Sequence, residues 1–227
     1  MLDRILALTR RPPPDPLVEL DEQLEELEAE IRSLSDDRQR GQLLNRAGDL
    51  CVRAKHPERA LRYFGGAIDA FLETGFYDAA AATCRKVIRI APDVVRARCT
   101  LAFLTLGEEL PSLPAAGLVS EAHHAIAEYV AAARAAETEA LCIKRLRLMS
   151  GATENPEIRQ AIGMYLLELG DEAGADRVLG EVNEERNELR PRDHSEQRER
   201  WAQVLRVSII GAWDGAKVVR RSVNGGH

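Results

Sequence analysis

The chain has 227 residues, 45% hydrophobic and 30% charged, and its 31 Lys and Arg against 37 Asp and Glu give a net charge of −6. This is the composition of a folded protein long enough to bury a core, and the acidic balance argues against bulk binding to nucleic acid. Aromatic residues make up only 4%, alanine is frequent and Val/Ile/Thr-rich alternating runs are missing, so closely packed helices are expected rather than sheets.

Residues 1–9 carry Leu2, Ile5, Leu6 and Leu8 in a short amphipathic turn broken by Asp3 and Arg4. No small-residue cleavage site follows, so no secretory leader is expected. No apolar run approaches the roughly 20 residues that span a bilayer. The proline run of RRPPPDP, residues 10–16, predicts a stiff, extended spacer. In the next segment Leu17, Leu20, Leu24, Leu27, Ile31 and Leu34 recur at spacings of three and four, a coiled-coil seam set among Glu and Asp. Two readings stand: the helix caps the following bundle, or it self-associates. Charge is concentrated here, since residues 15–37 hold ten acids and one base, Arg32. Such a helix is also suited to lie against basic helices of its own chain and to occlude a groove there.

From Arg38 to His227 the punctuation predicts roughly nine helices. Pro57 suits a first helical position, Gly75 and Pro92 end helices, and Asn155-Pro156 supplies a cap and a first turn. GEELPSLPAAG (107–117) is the clearest internal loop, LGD (169–171) a tight connection, RPRD (190–193) a break and NGGH a frayed tail. The last helix carries Trp201, Leu205, Ile209 and Trp213 at intervals of four. Such a stripe is expected to cap the final hairpin, or to anchor a partner through Trp213.

Within this region Gly75, Tyr77, Ala80, Cys84, Val87 and Pro92, with Phe64, Ala67, Ile68 and Phe71 before them, follow intervals that resemble the tetratricopeptide repeat (TPR). Residues 61–94 look like one complete repeat, departing at Ile68, where the family places a small residue. Leu44, Ala47, Gly48, Cys51, Ala60, Phe64 and Ala67 form an overlapping frame offset by 20 residues. A weaker match, Ile162, Gly163, Leu166, Gly170, Ala175, Leu179 and Val182, covers 156–189. The phasing is irregular. The overlap predicts one helix shared by two hairpins, in which Gly65-Gly66 offset their cost of about 1 kcal/mol each by admitting a neighbouring backbone.

The resemblance implies a fold: an all-α, right-handed superhelix of antiparallel helical hairpins, a TPR-like α-solenoid. It would comprise residues 38–227, with a subdivision at 107–117, behind a 1–37 segment of spacer and acidic heptad helix. It also implies a groove for an extended peptide. Carried over by position, Asn45, Asp49 and Arg53 face that groove from the first hairpin, and Arg96, Cys99 and Phe103 from the helix after Pro92. Asp49 and Cys99 depart from the Lys and Asn set of the carboxylate-clamp subfamily.

Catalytic and metal chemistry finds little support in the residues. His123 and His124 are adjacent and point about 100° apart on a helix, and His124 with Glu128 offers two ligands where zinc wants three or four. Cys51 and His56, five apart across a helix end, do not align as nucleophile and base. Cys51, Cys84, Cys99 and Cys142 lie in apolar patterns without a CxxC pair, as small buried hydrophobes of a reducing compartment. The expectation is a cytoplasmic, noncatalytic scaffold or adaptor, without cofactor or metal, that binds a protein or peptide segment. Self-association through the heptad or C-terminal helix is a further expectation. The alternative function is a nucleic-acid-associated regulator that uses a local basic face. Two such faces are legible: Arg85, Lys86, Arg89, Arg96 and Arg98, and Arg53, Lys55, Arg59 and Arg62.

Overall fold

A computed structural model describes residues 16–108, 116–153, 155–185 and 194–205. Among these there are ten α-helices and no strand. They are α1 (Pro16–Ser33), α2 (Asp37–Arg53), α3 (Pro57–Glu73), α4 (Tyr77–Ile90), α5 (Val95–Glu108), α6 (Ala116–Ala135), α7 (Glu139–Ala152), α8 (Pro156–Glu168), α9 (Glu172–Glu185) and α10 (His194–Leu205). The amphipathic turn at 1–9, the spacer up to Asp15, the middle of the 107–117 loop, the RPRD break, Ile209, Trp213 and the NGGH tail lie outside the described residues. No described helix is long and apolar enough to cross a membrane.

The helix ends follow from local chemistry. Asp36 caps α2 by accepting the Arg38 N–H at 2.9 Å. Asn155 accepts from Glu157 and Ile158 at the start of α8, with Pro156 in the first turn. Four of the connections share one geometry. In the turns after α2, α3, α6 and α8, the N–H two residues past the cap reaches back to the carbonyl five residues earlier: His56 to Cys51, Phe76 to Phe71, Thr138 to Ala133 and Asp171 to Leu166, at 2.8–2.9 Å. This is the Schellman motif, which places the residue after the cap in the left-handed region. Gly75 and Gly170 occupy it at φ 76° and 81°, and so do Lys55 at 62° and Glu137 at 55°. One turn shape therefore recurs, although glycine marks only half of its occurrences.

The chain divides into two compact units, Met1–Ala70 and Phe71–His227, with the border inside α3. In the first unit α1 packs on α2. Leu20, Leu24 and Leu27 of the heptad seam are buried, while Ile31 and Leu34 are half-buried. Asp21 of α1 pairs with Arg59 at 2.6 Å, and Tyr63 donates to Glu28, so the acidic helix is bonded to α3 as well. Of the two readings of the seam, the described leucines thus fill the chain's own bundle. α2 and α3 meet where Phe64 lies across Gly48: a Cβ added there would fall 2.5 Å from the ring. The close approach expected at Gly65-Gly66 sits instead at Gly48. An added Cβ on Gly65 would meet nothing within 4 Å, and one on Gly66 would make an ordinary contact with Leu44 at 3.4 Å.

In the second unit α4 packs on α5, α5 extensively on α6, α6 on α7 and α8, α7 on α8, and α8 extensively on α9; α5 also touches α7. Each helix thus meets the next and sometimes the next but one. α10 breaks the sequence. It was expected to cap the last hairpin, α8–α9, but it packs chiefly on α5 and α7. The reason is Trp201. Its indole N–H donates to the Phe103 carbonyl at 3.0 Å, and its ring meets Tyr77 edge-on with centroids 4.9 Å apart. The indole also fills the space that a side chain at Gly107 would take. A large amphipathic ring fills a gap there while its N–H finds an acceptor.

Candidate functional site

In the second unit a groove opens beside α4. The buried stripe of YDAAAATCRKVIRI is Ala80, Ala81, Thr83, Cys84 and Val87. Helical periodicity then turns Ala82, Arg85 and Arg89 outward, and all three are exposed. Beside them runs an open groove of about 560 Å³ lined by Ala82, Arg85, Lys86, Ile88 and Arg89 of α4, Leu101 of α5 and Glu128 of α6. Its floor is apolar (Ala82, Ile88, Leu101) and three cations stand along its α4 side. Among the described residues no carboxylate pairs with Arg85 or Arg89.

The one acid in the lining is already engaged. Arg98, only 14% exposed, reaches Glu128 at 2.7 Å and also donates from Nε to the Pro92 carbonyl at 2.8 Å. His124 Nε2 lies 3.4 Å from the other Glu128 oxygen. Glu128 is thereby held as part of the wall, with Arg98 compensating its charge. The carboxylate is an ion-pair acceptor, His123 lies 6.2 Å from the Tyr165 ring, and no cluster of three or more His, Cys, Asp or Glu suited to a metal occurs among the described residues.

The six residues placed in a groove by the repeat resemblance lie elsewhere than this lining. Asn45 and Asp49 are half-buried on α2 and Arg53 is exposed in its last turn, all in the first unit. In the second unit Arg96 is half-buried on α5. Phe103 is fully buried on α5, and its backbone carbonyl accepts from Trp201. Cys99 is half-buried on α5, with its thiol within electrostatic reach of Tyr129 and Cys142. Tyr129 and Cys142 are buried.

That sulfur-hydroxyl cluster has the chemistry of a core. Burial pushes the Cys99 thiol up to about 12 and Cys142 up to about 11, and it raises Tyr129 as well. All three stay protonated at neutral pH, so neither sulfur is a thiolate nucleophile there. Cys51 is raised by burial too, and it meets His56 only through the turn hydrogen bond between their backbones.

The basic arc of α4 was legible in the sequence as Arg85, Lys86 and Arg89. The groove as a whole was not, because Leu101 and Glu128 reach it from helices that only packing brings beside α4. Scanned against models of known protein families and against curated proteins, the chain matches none.

Proposed function

We propose that this chain is a noncatalytic scaffold or adaptor, a TPR-like helical repeat, that recognises a segment of another protein on the α4–α5–α6 groove. The observation that carries this reading is the groove itself: an apolar floor of Ala82, Ile88 and Leu101 beside Arg85 and Arg89, which are exposed and without a carboxylate partner among the described residues. Burial of an apolar anchor provides affinity, and flanking cations select and steer acidic partners. Three features support the repeat character: the recurring Schellman turns, Phe64 seated over Gly48, and helices that meet the next and the next but one. The cytoplasm remains the proposed location, from four cysteines set in apolar helical patterns without a CxxC pair.

The test is a photo-crosslinking residue at position 82 of the full chain, expressed in its native cell, with the captured segment mapped by mass spectrometry. The expected result is a defined protein segment whose capture is lost in R85E/R89E. Capture of nucleic acid, or of nothing that depends on those arginines, overturns the reading.

A further inference from the structure

The first unit contains an example of how this chain recognises a helix. α1 is an acidic amphipathic helix. It inserts Leu20, Leu24 and Leu27 and bonds a carboxylate at each end of that seam, Asp21 to Arg59 and Glu28 to the Tyr63 hydroxyl of α3. The chemistry is leucines at helical spacing on an apolar surface, with acids meeting a cation and a hydroxyl alongside.

The groove on α4 offers the complementary half of the same arrangement. Ala82, Ile88 and Leu101 supply the apolar surface. Arg85 and Arg89 stand one helical turn apart, about 6 Å along the axis, which is the spacing of acids at i and i+4 on a helix lying alongside. We infer that the occupant of this groove is an acidic amphipathic α-helix of a partner protein. Its leucines would enter between α4 and α5, and two carboxylates one turn apart would pair with Arg85 and Arg89. Planar guanidinium groups favour this occupant, since each can take a carboxylate through two parallel hydrogen bonds. The inference rests on the proposed scaffold function and specifies the conformation and charge of its partner.

The experiment measures fluorescence anisotropy of the full chain with four labelled probes. The first is a short designed helical peptide with leucine at the seam and glutamate beside it. The second has lysine in place of the glutamates, the third is the acidic sequence broken by two prolines, and the fourth is duplex DNA. Only the acidic helix is expected to bind wild type, weakened at least about tenfold by R85E/R89E. The lysine peptide should bind R85E/R89E in preference to wild type, an exchange of charge that a structural role for the arginines would not produce.

Equal binding of the proline-broken peptide overturns the helical occupant and leaves the scaffold reading standing. Binding of the acidic helix that survives R85E/R89E is exchange with α1, and overturns the groove assignment. Preference for duplex DNA, lost in R85E/R89E, overturns the inference and the scaffold reading together. No binding by any probe, beside a successful arginine-dependent crosslink at position 82, overturns the inference alone.

Discussion

The two units treat the same chemistry in opposite ways. In the first, the cation Arg59 and the hydroxyl of Tyr63 are met by acids of the chain's own α1, whose leucines are buried. In the second, Arg85 and Arg89 stand exposed beside an apolar floor. Acidic and basic helices attract each other through charge, but a seam of leucines decides which pair becomes core. Where the chain supplies both halves it has a bundle; where it supplies one, cations and an apolar floor stand open. The lesson also revises a simple picture of the acidic helix as a removable flap. Removing residues 1–37 would take Leu20, Leu24 and Leu27 out of the core, so such a deletion tests folding before it tests access to any groove.

The largest expected effect lies in the second unit. Trp201→Ala should destabilise by about 3–5 kcal/mol, since it removes a buried ring and its hydrogen bond to the Phe103 carbonyl. Urea denaturation checks this, and a near-wild-type midpoint would show that α10 is not integral to the unit. In the first unit Leu24→Ala should cost about 2–5 kcal/mol. The loss should be independent of protein concentration, because the seam is filled in cis. A concentration-dependent melting temperature would instead assign the leucines to self-association and erase the contrast between the units.

Gly48→Leu comes next. Overpacking against Phe64 should cost about 1–3 kcal/mol, whereas Gly65→Ala, with open space around the added Cβ, should gain up to about 1 kcal/mol from helix propensity. Thermal melts of the two variants side by side sharpen the point. If Gly65→Ala is the damaging change, the close approach of α2 and α3 is misplaced. The smallest effect concerns the turns: Glu137→Gly should stabilise by up to about 1 kcal/mol, because a side chain at φ 55° is strained. A loss of stability there would mean that Glu137 makes contacts worth more than its strain.

Much of the architecture was readable in advance because helix ends are local. Pro57, Asn155-Pro156 and Gly75 carry their reasons in their own backbones, and the nine described helices from Asp37 onward match the number expected. Lys55 and Glu137 escaped notice because nothing in either residue type announces a left-handed conformation. The turn is imposed by the helices that meet there. The candidate site divides in the same way. Arg85, Lys86 and Arg89 were legible as a basic face, being consecutive turns of one helix. Repeat spacing gives the face of a helix but not which neighbour covers it, and Phe103 is fully buried.

By itself, then, the sequence determined that the chain is helical, where most helices begin and end, and which stripes are apolar. Hydrogen bonding and side-chain periodicity act over a few residues, and their record is local. Only the tertiary structure decided that α1 belongs to a bundle, that Gly48 rather than Gly66 is the point of contact, and that Trp201 returns α10 to α5 and α7. These depend on which surfaces remain unfilled once all helices compete for burial, and a gap such as that beside Gly107 exists only when distant segments have been brought together.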